Sequence, residues 1–185
     1  MIENSKGRLG IGIALSIFGL TLFFIKPQPL NSFKLNSTIA DEPVNIQGFD
    51  ENNYKEEDIP VRIMIPEISI DLEVQKARII NGFWEVFKDK AAWGEGSGIP
   101  GRVGNQVVFA HAREGLFLPL KDIKKDMELF IFTKDKWYSY KVTEIKEVYP
   151  NQVEVIKPTE DETLTLYTCS GYKDFRRLVV VAKRS

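Results

Sequence analysis

Alternation of apolar and polar residues recurs in short segments from residue 60 to the end of the chain. A period of two is typical of strands that bury one face. The segments that this pattern predicts as strands are 60–66, 68–74, 83–87, 106–110, 128–133, 137–148, 163–168 and 178–182. Short strands at this spacing indicate an all-β domain, either a closed barrel or a sandwich.

Helical periodicity is confined to two brief segments, residues 88–93 and 116–123. In the second segment four apolar side chains share one helical face, namely Leu116, Phe117, Leu120 and Ile123. We therefore expect helices to be short accessories of the β-domain.

The N-terminal part of the chain has a different pattern, because residues 9–25 form an apolar run without a charge. At a rise of 1.5 Å per residue a helix over this run reaches about 25 Å, close to the thickness of a bilayer core. A signal peptide is the alternative, but residues 23–27 lack a small-residue cleavage site. We predict a short cytoplasmic tail at 1–8 and an uncleaved transmembrane helix at 9–25.

The segment that follows, residues 26–59, has no sustained apolar period. It contains Pro27, Pro29 and Pro43, many Asn and Ser residues, and an acidic cluster at 56–58. Such composition is typical of a flexible linker. We place the folded domain at residues 60–185, on the extracellular face of the membrane.

Composition narrows the function classes. The chain has 185 residues, 43% of them hydrophobic, which is enough for one domain with a substantial core. Its 25 Lys and Arg residues almost balance its 26 Asp and Glu residues, so nothing indicates a nucleic-acid partner. We expect no metal site, because a single His and a single Cys are a poor ligand set.

That single cysteine, Cys169, and the single histidine, His111, each come at the end of a predicted strand. A lone cysteine has no intramolecular disulfide partner, so it is either a small buried hydrophobe or a reactive thiol. A predicted hairpin brings the chain back through Arg176 and Arg177 towards Cys169. Adjacent residues of a strand face opposite sides, so only one arginine can face the thiol, and its spacing to the next apolar run favours Arg177.

These three residue types suffice for acyl transfer. A cysteine thiol has a pKa of about 8.5, so a neighbouring imidazole or guanidinium is needed to favour the reactive thiolate. A cysteine nucleophile, a histidine acid/base and a group that stabilises the oxyanion together support cleavage or exchange of a peptide bond through a thioester.

Two stretches carry a family resemblance. TLYTC at 165–169, followed by RLVVVA at 177–182, resembles the T-L-x-T-C…R signature of sortases. PGRVGN at 100–105, which leads into VVFAH at 107–111, is similar to the P-G-x-x-G-N segment and strand that carry the sortase histidine. Residues 62–66 and 68–74 are similar to the first strands of that fold.

The resemblance implies a closed eight-stranded β-barrel and a membrane-anchored cysteine transpeptidase without a cofactor. Cys169 would be the nucleophile, His111 the general acid/base, and Arg177 the group that stabilises substrate or oxyanion. The substrates would be secreted proteins with a C-terminal LPXTG-like sorting signal, cleaved between Thr and Gly. The acceptor would be an amine of a peptidoglycan precursor or a pilin subunit.

The resemblance also implies a substrate pocket, for which the candidates are Ala110, Thr168, Val153, Val155 and Ile156. We find no lid motif of the kind seen in pilin-polymerising sortases and no second membrane-spanning segment. A sortase of class D or E with a single transmembrane helix is therefore preferred. Two alternatives stay open: a tethered cysteine peptidase that only hydrolyses, and a non-catalytic β-domain that binds cell-wall polymer.

Overall fold

The computed structural model describes residues 54–170 and 175–185. Within these ranges the strands are β1 Arg62–Ile65, β2 Ile70–Ala77, β3 Ile79–Ile80, β4 Phe83–Trp84, β5 Ala91–Gly94, β6 Gly104–Phe109, β7 Glu128–Phe132, β8 Trp137–Val148, β9 Glu162–Ser170 and β10 Arg176–Arg184. Three short 3₁₀ helices accompany them, at Pro66–Ile68, Leu118–Asp122 and Val153–Ile156.

Eight of the strands close into a barrel in the order β1-β2-β5-β6-β9-β10-β8-β7, and β3 pairs with β4 in a separate small sheet. The predicted eight-stranded closed barrel is confirmed. The pairs β2/β5 and β6/β9 are parallel, and the other neighbours are antiparallel. Strands β6, β9 and β10 are consecutive in the barrel, although β6 is distant in sequence from β9 and β10.

The alternation of the sequence separates two groups of buried side chains. In β9, Leu164 and Leu166 point into the barrel interior, where they join the main core. Tyr167 lies on the opposite face, against an outer cluster that covers the outside of the barrel. The outer cluster consists of Ala77, Trp84, Ala92, Val107, Phe109 and Ile156, with Ile79, Phe87, Val155 and Tyr167 packed against it.

The helix predicted over residues 88–93 is wrong, because Ala91–Gly94 forms strand β5. This strand is buried along its whole length, paired with β2 on one side and β6 on the other. Its side chains have no exposed face, so they show no alternation. The strand predicted at 83–87 is limited to Phe83–Trp84, and Ile79–Ile80 is a strand that the pattern missed.

The second predicted helix is present as the 3₁₀ helix Leu118–Asp122. The four apolar residues assigned to its inner face, Leu116, Phe117, Leu120 and Ile123, all belong to the main core. In residues 54–170 and 175–185 no helix is long and apolar enough to cross a membrane. The tail, the anchor at 9–25 and most of the linker lie outside the described residues, and the domain boundaries stay predictions.

Candidate active site

The three residues singled out from the sequence lie at one end of the barrel, on or next to three neighbouring strands. Cys169 is near the end of β9, Arg177 is near the start of β10, and His111 follows β6 by two residues. Strands β6 and β10 flank β9 on either side. Because neighbouring strands lie about 4.8 Å apart, the three backbones come together around Cys169.

Cys169 and Arg177 are direct partners in the antiparallel β9/β10 ladder. Directly opposed residues project from the same face, with Cβ atoms about 5 Å apart. Arg177 is 1% exposed, whereas Cys169 is partly accessible. One guanidinium nitrogen of Arg177, Nη1, donates to the carbonyl oxygen of Arg176 over 3.0 Å. The thiol therefore has a buried, permanently charged side chain beside it.

His111 reaches the site through the parallel pairing of β6 with β9. Phe109 is in register with Tyr167, and the Ala110 amide donates to the Tyr167 carbonyl over 3.3 Å. His111 follows two residues after the last pair, at the end of β6 that lies beside the Cys169 end of β9. Ala110 belongs to the interior core, so alternation directs His111 to the outer face, the face that carries Cys169.

The turn after His111 is held by its own backbone. The His111 carbonyl accepts hydrogen bonds from the amides of Arg113, over 3.0 Å, and Phe117, over 3.1 Å. Phe117 is completely buried in the main core. The position of the histidine backbone is thereby tied to the interior of the barrel.

Arg176 takes a different direction from Arg177. Its guanidinium carbon lies 3.9 Å from the centre of the Tyr149 ring, and its Nη2 donates to the Tyr149 hydroxyl over 3.0 Å. Tyr149 begins the connection between β8 and β9, so this pair links that connection to the start of β10. The structure thus places Arg177, and not Arg176, opposite Cys169.

The predicted pocket residues fall into two groups. Thr168 and Ala110 are buried, and the Thr168 hydroxyl donates to the Ala110 carbonyl over 2.7 Å. Val153, Val155 and Ile156 lie in the 3₁₀ helix of the β8–β9 connection, where Ile156 is part of the outer cluster. The substrate-binding roles of all five stay predictions.

Asn105 is a positioning residue that the sequence analysis did not single out. Its side-chain amide donates to the carbonyls of Val155, over 3.1 Å, and Lys157, over 3.0 Å, while its oxygen accepts from the Thr165 hydroxyl over 2.7 Å. The 3% exposed amide therefore fixes the β8–β9 connection against the barrel. Asn105 is the last residue of the PGRVGN segment, and that position was the available signal.

Tyr167 is a second residue that was missed as a site candidate. It lies on the same face of β9 as Cys169, and period-two alternation from Cys169 would have indicated this. Burial raises the pKa of the Tyr167 hydroxyl, and the positive charge of Arg177 partly opposes that increase. The described residues contain no group of three or more His, Cys, Asp or Glu side chains suited to a metal ion.

We predict that Thr168→Val lowers the free energy of unfolding by about 1–3 kcal/mol, because the buried Ala110 carbonyl loses its donor while side-chain volume is kept. Chemical denaturation of the two proteins measures this loss. Thr143→Val is the matched control, since the Thr143 hydroxyl makes a similar bond to the Val181 carbonyl at an exposed position. An equal effect of both substitutions would contradict the role given to burial.

One end of the closed barrel carries a thiol, a turn with an imidazole and a buried guanidinium. This combination is typical of an enzyme that uses a cysteine nucleophile. Comparison with known proteins supplies the family. The sequence model of the sortase domain matches residues 63–185, about two thirds of the chain. The chain belongs to the sortase family.

Individual relatives agree with this assignment. Sortase A of Streptococcus agalactiae is 33% identical over 139 residues, which cover 70% of this chain and 55% of the relative. Sortase A of Bacillus anthracis is 30% identical over 128 residues, which cover 65% of this chain and 57% of the relative. The chain thus spans little more than half the length of these curated relatives.

Among solved structures, Clostridium perfringens sortase C with the C-terminal cell wall sorting motif superimposes with a TM-score of 0.58 at 27% identity. The match covers 72% of this chain and 74% of that one. Because the relatives include both sortases A and sortases C, membership of class D or E stays a prediction.

Proposed function

We propose that this chain is a cysteine transpeptidase that cleaves an LPXTG-like sorting signal between Thr and Gly and transfers the Thr carbonyl to an amine. The observation that carries the proposal is the direct register between Cys169 and Arg177, with the His111 turn on the other side of β9. Family membership supports the same chemistry.

In the acylation half-reaction, the Cys169 thiolate attacks the Thr carbonyl carbon while His111 carries the proton, and a tetrahedral oxyanion forms. When the oxyanion collapses, the Thr–Gly bond breaks and the departing amine takes a proton from His111. The product of this step is a thioester between Cys169 and the sorted protein. The partial accessibility of Cys169 on the outer face of the barrel is compatible with attack on an extended peptide.

In the second half-reaction, an incoming amine attacks the thioester and gives up its proton to His111. The new amide bond forms, the thiolate leaves, and Cys169 is restored. Histidine acts first as an acid and then as a base, so one imidazole suffices for both steps. When the amine reacts with the thioester faster than water does, the outcome is transfer and not hydrolysis.

Arg177 supplies the positive charge. A guanidinium stays protonated throughout the physiological pH range, and its planar fork donates in fixed directions to a carbonyl or oxyanion. Burial beside the thiol increases the strength of this interaction relative to that of a solvated charge. We assign Arg177 to the substrate backbone or the developing oxyanion.

The substrate class rests partly on the relatives. The Clostridium perfringens structure is of a sortase C with a cell wall sorting motif, which supports a C-terminal sorting signal as the substrate here. We infer that the partners are secreted proteins with such a signal and an amine on a peptidoglycan precursor or pilin subunit. The proposed location is the extracellular face of the cell membrane, with the anchor at 9–25.

Product analysis tests the proposal. The full chain is incubated with a library of peptides varied around Leu-Pro-x-Thr-Gly, with and without an added amine such as triglycine. We expect cleavage after Thr in both cases and a Thr–amine ligation product when the amine is present. Cleavage with water as the sole acceptor identifies a hydrolytic peptidase, and absence of any cleavage favours a non-catalytic wall-binding domain.

We predict that Arg177→Ala lowers kcat/KM by several hundredfold or more, about 3–4 kcal/mol of transition-state stabilisation, as expected for loss of an oxyanion donor. Steady-state cleavage of the best peptide measures this loss. Arg176→Ala is the matched control, and we expect it to retain activity within about threefold because Arg176 lies against Tyr149. A normal rate for the Arg177 variant would shift the assignment to Arg176.

A further inference from the structure

Tyr167 is placed where it can act on the site without touching the scissile bond. In the β9/β10 ladder it is opposite Val179, while Cys169 is opposite Arg177. Tyr167 and Arg177 are therefore diagonal neighbours on one face, a spacing that long side chains can bridge. Cys169 is the third member of this group, because it lies two residues beyond Tyr167 on the same face.

The ring of Tyr167 is held in place by its surroundings. It packs against the outer cluster, which includes its β6 partner Phe109 and, from the β8–β9 connection, Ile156. A ring fixed by packing on its apolar side carries its hydroxyl at a defined position. The hydroxyl can then orient a neighbouring side chain at little entropic cost.

That side chain is Arg177. The positive charge of Arg177 lowers the pKa of the Tyr167 hydroxyl against the larger effect of burial, and Cys169 also acts on that pKa. In a hydrogen bond across this diagonal the hydroxyl oxygen would be the acceptor, because a guanidinium has donors and no acceptor. Arg177 is 1% exposed, so its N–H groups depend on protein acceptors of this kind.

The chemical nature of the acceptor matters for the reaction. A carboxylate would neutralise the guanidinium and weaken its attraction for an oxyanion. A neutral phenol satisfies one N–H group and leaves the positive charge available to substrate. Because burial raises the pKa of Tyr167, its hydroxyl stays neutral over the pH range in which the enzyme works.

We infer that Tyr167 is a positioning residue for the reaction, and that its hydroxyl orients the Arg177 guanidinium towards the acyl group carried by Cys169. This inference rests on the proposed function and adds to it the residue that aims the positive charge. The catalytic contact itself belongs to Arg177.

The first test is Tyr167→Phe, which removes the hydroxyl and keeps the ring. We expect kcat for cleavage of the sorting peptide to fall about tenfold, with KM changed less than about twofold, as for loss of one hydrogen bond to a charged group. Tyr54→Phe is the matched control. The Tyr54 hydroxyl donates to a Glu95 carboxylate oxygen over 2.8 Å, and this pair is not part of the site around Cys169. The control is expected to keep the wild-type rate.

The second test is a double-mutant cycle with Arg177→Lys, which keeps a positive charge but removes the planar fork. If Tyr167 acts through Arg177, adding Tyr167→Phe to the lysine variant lowers kcat less than twofold. A tenfold loss in both backgrounds would overturn the inference, as would a normal rate for Tyr167→Phe alone. Thermal unfolding of each variant accompanies the kinetics, and failure of the Phe variant to fold would assign the hydroxyl a structural role instead.

Failure of the two proposals can be told apart. If the wild-type chain and Cys169→Ala are equally inactive towards every peptide and amine, the proposed function fails. If wild type cleaves and ligates while Tyr167→Phe is as active as wild type, the transpeptidase stands and the positioning role of Tyr167 is rejected.

Discussion

Cys169→Ala is expected to abolish cleavage and ligation of the sorting peptide, with kcat lowered by roughly 10⁴-fold or more. Cys169 is the single cysteine of the chain, so no other thiol can take over as the nucleophile. An alanine at this position leaves Arg177 and His111 in place but provides no atom that can form the thioester. Binding of the peptide should be largely retained.

Two measurements check this result. Mass spectrometry of the wild-type protein with peptide and no amine should detect the mass of a thioester adduct, and the alanine variant should show none. Peptide binding, followed by fluorescence, should differ little between the two proteins. Cleavage by the alanine variant at a rate near wild type would place the nucleophile elsewhere.

Thiol labelling separates the enzyme from the non-catalytic alternative independently of any substrate. Cys169 is partly accessible at the barrel end, so a methanethiosulfonate reagent should modify the folded wild-type protein readily. A buried structural thiol would resist modification until the protein unfolds. Resistance in the folded state would therefore favour a wall-binding domain.

The strands that were predicted well are those with one face in the barrel and the other towards a different environment. Strand β8 was predicted over residues 137–148 with the bounds that it has, Trp137–Val148. In its first part the outward residues Lys141 and Thr143 are exposed while Tyr140 and Val142 are buried, so apolar and polar residues alternate there. Period-two alternation identifies such strands because one face packs in the core and the other faces water.

Strand β5 was not predicted because both of its faces are buried. Ala91 and Trp93 belong to the interior core, while Ala92 belongs to the outer cluster. Both faces are apolar, and two alanines give the segment helical propensity. Pairing with β2 and β6 overrides that propensity, and this long-range pairing is invisible in a local window.

The chemistry of the site was predictable because its residues are scarce. One cysteine and one histidine, each at a strand end, leave few ways to assemble a thiol site. The spacing to the next apolar run favoured Arg177 over Arg176, and the β9/β10 register places Arg177 opposite Cys169. Tyr167 and Asn105 act through contacts between β9, β10, β6 and the β8–β9 connection, so they required the three-dimensional pairing.

His111→Ala is expected to lower kcat about 10³-fold or more, because both half-reactions move a proton through this imidazole. Without it, the Gly amine must leave as an anion in the first step and the acceptor amine must lose its proton to water in the second. The chain contains no other histidine that could take over. Steady-state cleavage and ligation assays measure the loss in each half-reaction.

The matched control for this substitution is Arg113→Ala in the same turn. Arg113 is exposed, and its contacts in the turn are backbone hydrogen bonds to His111, Leu116 and Leu118, which alanine retains. We expect the control to keep activity within about twofold. Methanethiosulfonate labelling of Cys169 in the His111 variant should still occur, because the reagent carries its own leaving group and needs no acid catalyst. Loss of peptide cleavage with retained labelling assigns His111 to proton transfer, whereas cleavage near the wild-type rate would require a general acid of another residue type.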